Sequence, residues 1–485
     1  MEEDDHDELL QCTDDDSLSE TEDQCLSIDK PAESSDHNVS YFNHTKLEFI
    51  STKLTLIFST SVMLILLPLY LDAINVDGNA YSLILTNTFI STILFIVTLG
   101  IAKLFCQKYR NVNVFSFPVK FWKLVQLSGL YFSCAFMIIY ALDRKRVVCH
   151  LQDPIKGIVL VFSLLYYFFF CRKLMGLQRI FSATTIVVGI FITVDYGLCD
   201  EFRCRGYERE KISDDSGPWN GENHALWTTV YIAGLAIFAA YFTLLDRYVL
   251  TCNNSNDQNV NIPSTFLSTV SRSVSFPNTI SCSPPQLIGN STNNNQNLTK
   301  IQSVVHLAMW IHIFGFVFTL MMFWTDIIPE IGKDENINDF WNHTTKGIIC
   351  HFQKPQPPST ANLHGGQFPC GNVFMFSWLF MCSYILFVVM SMKFLILTQS
   401  AVYTIATMST SLPFVSIWWS LFHASPTTIG LLIWSPAITG ELICAILGLP
   451  IMLVGLFLLC KAHLKNYQFL KQNDSRYVMT NDGYA

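Results

Sequence analysis

The chain has 485 residues, of which 51% are hydrophobic and 14% charged, with a mean hydropathy of +0.34. Soluble domains carry about 25% charged residues, so this balance excludes a chain that is soluble along most of its length. The net charge of -8 originates at one end: residues 1–36 hold 15 of the 38 acids but only one base, Lys30, and the remainder is mildly basic.

This acidic, Ser-rich leader reads as a disordered tail. Without a basic region followed by a short apolar core and a cleavage site, it is not a secretory signal peptide. A helix needs about 20 apolar residues to cross the hydrocarbon, and uncharged runs at 54–71, 81–102 and 124–142 predict the first three spans. Next, in "LYYFFFCRKLMGLQRIFSATTIVVGIFITVDYG" (165–197), an apolar run stops at Cys171-Arg172-Lys173 and resumes six residues further on. Neither flank shows the polar positions that a wet face requires, so runs 157–171 and 180–194, lengthened by residues such as 147–156, predict spans four and five. Runs 225–245, 301–325, 372–392 and 442–460 predict spans six, seven, eight and ten. The block 394–440 carries Pro413, Pro426 and Pro436; its first part, 394–422, predicts span nine, and 424–440 a partly buried exit loop.

Orientation follows from Lys and Arg in short loops. Lys103, Lys108, Arg110, Lys120 and Lys123 follow span two, Arg172, Lys173 and Arg179 follow span four, and Lys393 lies between spans eight and nine. Both termini are therefore expected in the cytosol, with Arg144, Lys145 and Arg146 as exceptions on the opposite side. Of the sequons, Asn342 falls in a lumenal loop and is the expected glycosylation site, whereas those at Asn253, Asn290 and Asn297 fall in a cytosolic linker.

Ten spans, a tight turn between the fourth and fifth, and "VVGIFI" (187–192) in span five mirrored by "LVGLFL" (453–458) in span ten resemble the drug/metabolite transporter superfamily. The resemblance implies an all-α polytopic protein of two inverted five-helix repeats. "FFCRKLMGLQRIFSATTIVVGIFI" is similar to the corresponding turn of the nucleotide-sugar transporters, in which a basic residue and a Gln flank the turn, here Arg172 and Gln178. The long Cys-bearing loop 327–369 resembles the chloroquine-resistance-transporter branch. The expected layout is a cytosolic tail at 1–45, a first repeat at 46–197, a lumenal loop at 198–224 and span six at 225–249. A disordered Asn- and Ser-rich linker at 250–300, span seven at 301–326, the lumenal loop 327–369, spans eight to ten at 370–460 and a cytosolic tail at 461–485 complete it.

Polar groups at membrane depth are functional candidates by default. His312 lies near the middle of its run, where it could contact substrate or couple a proton. Gln399, Tyr403 and Thr407, four apart, would share one helical face, with Tyr403 near mid-depth. Asn87, Gln126 and Lys156 complete the candidate cavity; Lys156 also pairs plausibly with Asp153 at a helix end. Asp195 and Glu441, at the lumenal ends of spans five and ten, are further protonation candidates. Cys199, Cys204, Cys350 and Cys370 in polar loops are disulfide candidates if those loops face an oxidising lumen, while Cys134, Cys382, Cys444 and Cys460 in apolar runs read as small hydrophobes.

No nucleotide, zinc-protease or serine-hydrolase motif is present, and neither a metal nor a cofactor is expected. The expected function is a secondary active transporter moving a nucleotide sugar, or a small organic cation, vitamin or peptide. The alternatives are a membrane enzyme such as an acyltransferase and a receptor or scaffold that binds without transport. Expected partners are the lipid bilayer, the small-molecule substrate and protons, with a homodimer as a candidate assembly and no nucleic acid. "DHDELL" (Asp5, Leu9, Leu10) and "YQFL" (Tyr467, Leu470) resemble sorting signals and favour an endosomal or lysosomal membrane over the Golgi or endoplasmic reticulum.

Overall fold

In hydrocarbon every backbone amide must find its partner inside the protein, which leaves the helix as the economical element for an apolar run. A computed structural model describes residues 36–76, 78–105, 117–147, 149–171, 176–193, 221–257, 294–328, 331–353, 370, 372–424, 432–434, 436 and 440–481. Its helices are α1 (Asp36–Ile74), α2 (Ala80–Phe105), α3 (Phe121–Leu142), α4 (Cys149–Cys171), α5 (Leu177–Thr193) and α6 (Gly221–Asp257). There follow α7 (Asn294–Met321), α8 (Ile337–Phe352), α9 (Val373–Thr398), α10 (Ala401–Ser409), α11 (Leu412–Leu421) and α12 (Gly440–Asn481). The contacts divide the chain after Leu47.

Seven helical stretches are long and apolar enough to cross a membrane: Leu47–Ile74, Ala80–Leu104, Phe121–Leu142, Asn223–Tyr248, Val304–Met321, Val373–Thr398 and Leu442–Ala462. Large apolar side chains such as Phe58, Leu104, Phe181 and Phe457 point outward from them and from the shorter apolar helix α5. These features make the chain a multi-pass membrane protein.

The structure corrects several expected boundaries. The opening pair forms two apolar stretches, Lys156–Phe170 and Leu177–Thr193, each shorter than the seven. Lys393 lies not in a loop but inside α9, where it pairs with Glu48 at 2.9 Å, so α9 absorbs the start of the expected ninth span. That span is instead two short helices. Gln399 adopts a left-handed conformation (φ 48°) and Ser400 an extended one, and together they end α9 and restart the chain as α10. Pro413 then stands in the first turn of α11, where its missing N–H costs nothing. The expected exit loop contains an antiparallel pair, β1 (Phe422–Ala424) with β2 (Leu432–Trp434). The loop 327–369 holds α8, and α1, α6, α7 and α12 extend beyond their apolar runs into the segments expected as tails and linker.

Small residues set the closest helix contact, as is usual where lipid supplies no hydrophobic drive. A Cβ on Gly189 of α5 would lie 2.9 Å from the Met452 nitrogen and 3.2 Å from the Gly448 oxygen; one on Gly455 of α12 would lie 3.0 Å from the Ile186 nitrogen and 3.1 Å from the Ser182 oxygen. Partner numbers fall on one helix as they rise on the other, so α5 and α12 run antiparallel. Hydroxyls fix the interior helices: Thr92 (α2) and Ser128 (α3) donate to the His312 and Ile311 carbonyls of α7 at 3.2 and 2.8 Å.

Two of the three exceptional cations following α3, Arg144 and Arg146, have a structural explanation; the Lys145 side chain lies outside the described residues. Arg146 is fully buried, donating to the carbonyls of Tyr140 at 3.0 Å and Ile331 at 2.5 Å, with its guanidinium 4.2 Å from the centre of the Trp227 ring. Desolvation is the main influence lowering its pKa. Arg144 pairs with Asp143 at 3.6 Å. These charges join elements of the bundle rather than lying free in a loop.

At the same end, α8 is held by a Tyr70–His351 hydrogen bond, by the close approach of Gly347 to Gly78, and by the Cys350–Cys370 disulfide. Cys199 and Cys204 lie outside the described residues. Replacing Gly189 with Leu should force α5 from α12 and destabilise the detergent-solubilised protein by about 2 kcal/mol, a typical overpacking cost. Gly100→Ala, where nothing lies within 4 Å, should be neutral or slightly stabilising. Thermal unfolding monitored by tryptophan fluorescence tests both.

Candidate functional site

His312 lies midway along the apolar stretch of α7 and is fully buried. Its Nδ1 lies 2.8 Å from the Ala308 carbonyl oxygen, which can only accept, so the proton of the neutral ring belongs on Nδ1. Nε2 is then an acceptor, and the Tyr384 hydroxyl of α9 donates to it at 3.0 Å. The resulting chain runs from Tyr384 through His312 to a backbone carbonyl, with the Tyr131 ring of α3 beside it.

Aromatic rings wall this chain. The Phe95, Tyr384, Phe132 and Tyr131 ring centroids lie 4.8, 5.8, 5.9 and 6.1 Å from that of His312, and Tyr241 of α6 stands 5.0 Å from Tyr131. Gly315 creates the room, because a Cβ there would overlap the Phe132 ring. Among the described residues, no hydrogen bond, ion pair or ring contact joins a Lys or Arg to His312, Phe95, Phe132, Tyr131, Tyr241 or Tyr384. The arrangement can bind a cation or an apolar ring on aromatic faces and can relay a proton through a hydroxyl; it offers no counter-charge to a phosphate.

The other sequence candidates do not assemble around His312. Gln399 occupies the turn between α9 and α10 and points outward, so it leaves the face it was expected to share with Tyr403 and Thr407. The four-residue spacing carries no register across the Ser400 break. Tyr403 and Thr407 are buried on α10, Thr407 donating to the Tyr403 carbonyl at 2.9 Å. Tyr403 packs against Phe49 and Phe394, with the Lys53 nitrogen 5.8 Å from its ring centroid. This places it near the bundle end that carries the Glu48–Lys393 pair, rather than at mid-depth.

Asn87 is buried on α2, with its Oδ1 lacking a hydrogen-bond partner among the described residues. Gln126 faces outward and accepts from Tyr248 at 2.6 Å. Lys156 is buried at the start of the apolar part of α4, but the Asp153 side chain lies outside the described residues. Asn342 is exposed on α8, and the Thr344 of its sequon accepts from the Asn79 side chain at 3.0 Å. Asp195, Asp5, Leu9 and Leu10 lie outside the described residues, as do the side chains of Glu441, Tyr467 and Leu470.

Sequence reasoning missed Asp246 and the tyrosines. Asp246 stood just beyond a run ending at residue 245 and so looked like a loop edge, but α6 continues past it and buries it. Its Oδ2 accepts the Ala401 N–H at 3.1 Å, satisfying a free donor at the start of α10. Tyr384 was visible as a polar tip midway in the run 372–392 and could have been paired with His312 on depth alone.

No protein-family model matches the chain, and no curated protein is detectably similar to it. Two substitutions test the geometry described above. Tyr384→Phe leaves Nε2 of His312 buried without a donor and should cost about 1–3 kcal/mol in thermal unfolding. Asp246→Asn should keep the cap and most of the stability, whereas Asp246→Ala should lose about 1 kcal/mol.

Proposed function

We propose that the chain is a secondary active transporter of the drug/metabolite type, moving a small organic cation, vitamin or peptide by alternating access. The carrying observation is the His312 chain: a titratable group at mid-membrane, linked to a hydroxyl on a neighbouring helix and surrounded by aromatic rings. Protonating Nε2 would turn it from acceptor to donor and reverse the direction of its hydrogen bond with Tyr384. Such a reversal gives a proton a means of changing how α7 and α9 hold one another. Aromatic walls without a neighbouring Lys or Arg favour a cationic or uncharged substrate over a nucleotide diphosphate.

The proposal includes ten spans in two inverted repeats, α1–α5 and α6, α7, α9, α10 with α11, and α12. The glycine contacts support this exchange. Gly189 meets residues three and seven before Gly455, and Gly455 meets residues three and seven before Gly189, in helices of opposite direction. Side chains of α1 and α9, the helices that inversion would match to α6 and α3, meet in Phe49–Phe394 and Glu48–Lys393. The break before α10 falls in the second repeat, where unwound or interrupted helices commonly border transport sites. An endosomal or lysosomal membrane, with α8 and its sequon on the lumenal side, fits this reading.

Reconstituted in proteoliposomes, the protein should take up thiamine, basic amino acids or short peptides when an inward proton gradient is imposed. His312→Ala and Tyr384→Phe should each cut that uptake at least about tenfold, equivalent to about 1.4 kcal/mol, at equal reconstituted protein. Exchange of UDP- or GDP-sugars indifferent to pH, or proton-driven uptake unchanged in His312→Ala, would sink the proposal.

A further inference from the structure

The Asp326 carboxyl, at the bundle end that carries α8, is 1% exposed, and its Oδ2 meets no hydrogen-bond donor among the described residues. It closes a short 3-10 turn, Phe323–Asp326, immediately beyond the apolar stretch of α7. The chain then returns across it. Asp334 N–H donates to the Asp326 carbonyl at 3.2 Å, and a Cβ at Gly332 would overlap the Asp326 backbone, so only glycine lets the loop pass so closely.

This loop clamps the α1–α2 turn. The Lys333 ammonium donates to the carbonyls of Asn75 and Gly78 at 2.8 and 2.9 Å. Asp334 accepts from Asn79 at 3.0 Å and also hydrogen-bonds His343 of α8, while Asn79 donates to Thr344 of α8. The Asp326 carboxyl lies beneath the clamp. From its own loop it faces Asp334 and Lys333, and from the turn after α3 it faces Asp143, Arg144 and Arg146. Tyr81 of α2 and Tyr140 of α3 also sense its charge, and Tyr140 hydrogen-bonds Thr325 at 3.1 Å. The cations have other engagements: Lys333 on the two carbonyls, Arg144 on Asp143, and Arg146 on Tyr140, Ile331 and the Trp227 face.

A buried carboxylate with an orphan oxygen and two further carboxylates nearby is costly when charged and comfortable when neutral. We infer that Asp326 is a proton-binding site, and that the bound proton locks residues 331–334 and α8 onto Asn75, Gly78 and Asn79. Three or more acids do not converge as a metal-holding group among the described residues, which favours a proton over a metal ion as occupant. Burial first, then the neighbouring Asp334 and Asp143, raises the Asp326 pKa from 3.8 to about 7. A carboxyl with a raised folded pKa contributes stability that is fully present below the unfolded value and is lost as pH rises through the folded one. The lock therefore closes between about pH 7 and pH 4, the range of an acidic lumen. His351 on α8 works in the opposite direction over part of that range, since burial lowers its pKa from 6.5 to about 4; comparison at matched pH cancels its contribution.

The test uses the full-length protein in nanodiscs, wild type beside Asp326→Asn, whose amide stands in for the neutral acid. The variant should outlast wild type by a few degrees at pH 8, and the gap should shrink as pH falls and nearly close at pH 4. Independently, the amides of residues 331–334 in wild type, corrected for intrinsic rates, should exchange markedly faster at pH 8 than at pH 6. Tm values that run parallel across the range, a variant less stable than wild type at pH 8, or wild-type stabilisation at pH 8 by one specific cation each overturn the assignment. If Asp326→Asn does not fold, the wild-type exchange measurement decides alone, and pH-independent protection of the loop overturns it. None of these readouts depends on transport.

Discussion

Hydrocarbon supplies no hydrogen-bond partner to a backbone amide, and each unmet group there costs several kcal/mol. Most of the polar inventory of this bundle is disposed accordingly. Buried Thr and Ser hydroxyls largely donate back to their own helices, as Thr60, Thr88, Thr193 and Thr407 do, and so expose no polar atom to lipid. The interior exceptions mark where helices grip one another: Ser128 on the backbone of α7 and Tyr384 on His312, with Thr92 shared between Thr88 of its own helix and His312 of α7. Where the helix itself is interrupted after α9, Ser400 and Asp246 supply the acceptors that the missing turn would have offered.

Charge is graded along the molecule for the same reason. The His312 cluster at mid-bundle uses hydroxyls, an imidazole and aromatic rings, none of which need carry charge. Fixed charges gather toward the ends, where loops and partial hydration reduce the penalty of burying them. One end has Glu48, Lys53 and Lys393; the other has Arg146, Lys333 and the three aspartates beneath α8. This distribution separates a hydrogen-bond chain of uncharged groups at mid-bundle from a polar clamp where the loops meet.

Arg144, Lys145 and Arg146 illustrate how a good local rule can mislead. In a topology count they are three positive charges on the wrong side. In the fold Arg146 is a fully buried strut and Arg144 sits beside Asp143, so neither is the free loop charge that the positive-inside rule weighs. Gln399 illustrates the converse failure. The four-residue spacing from Gln399 to Tyr403 and Thr407 is helical arithmetic that holds only while the helix does, and a left-handed residue followed by an N-cap resets the phase.

By itself the sequence determined that most of the chain lies in a membrane, because apolar runs long enough to cross hydrocarbon have no other economical use, and it placed His312 at mid-span by counting alone. It also exposed the similar glycine-centred stretches 187–192 of α5 and 453–458 of α12, which are read directly from residue order. Only the tertiary structure decided which polar groups meet. His312 with Tyr384 and Tyr131, Asp246 with the start of α10, and Asp326 with Asp143 and Asp334 are all pairings between distant segments. Their separation in sequence carries no information about their distance in space, whereas helix length and hydrophobicity are local properties written residue by residue.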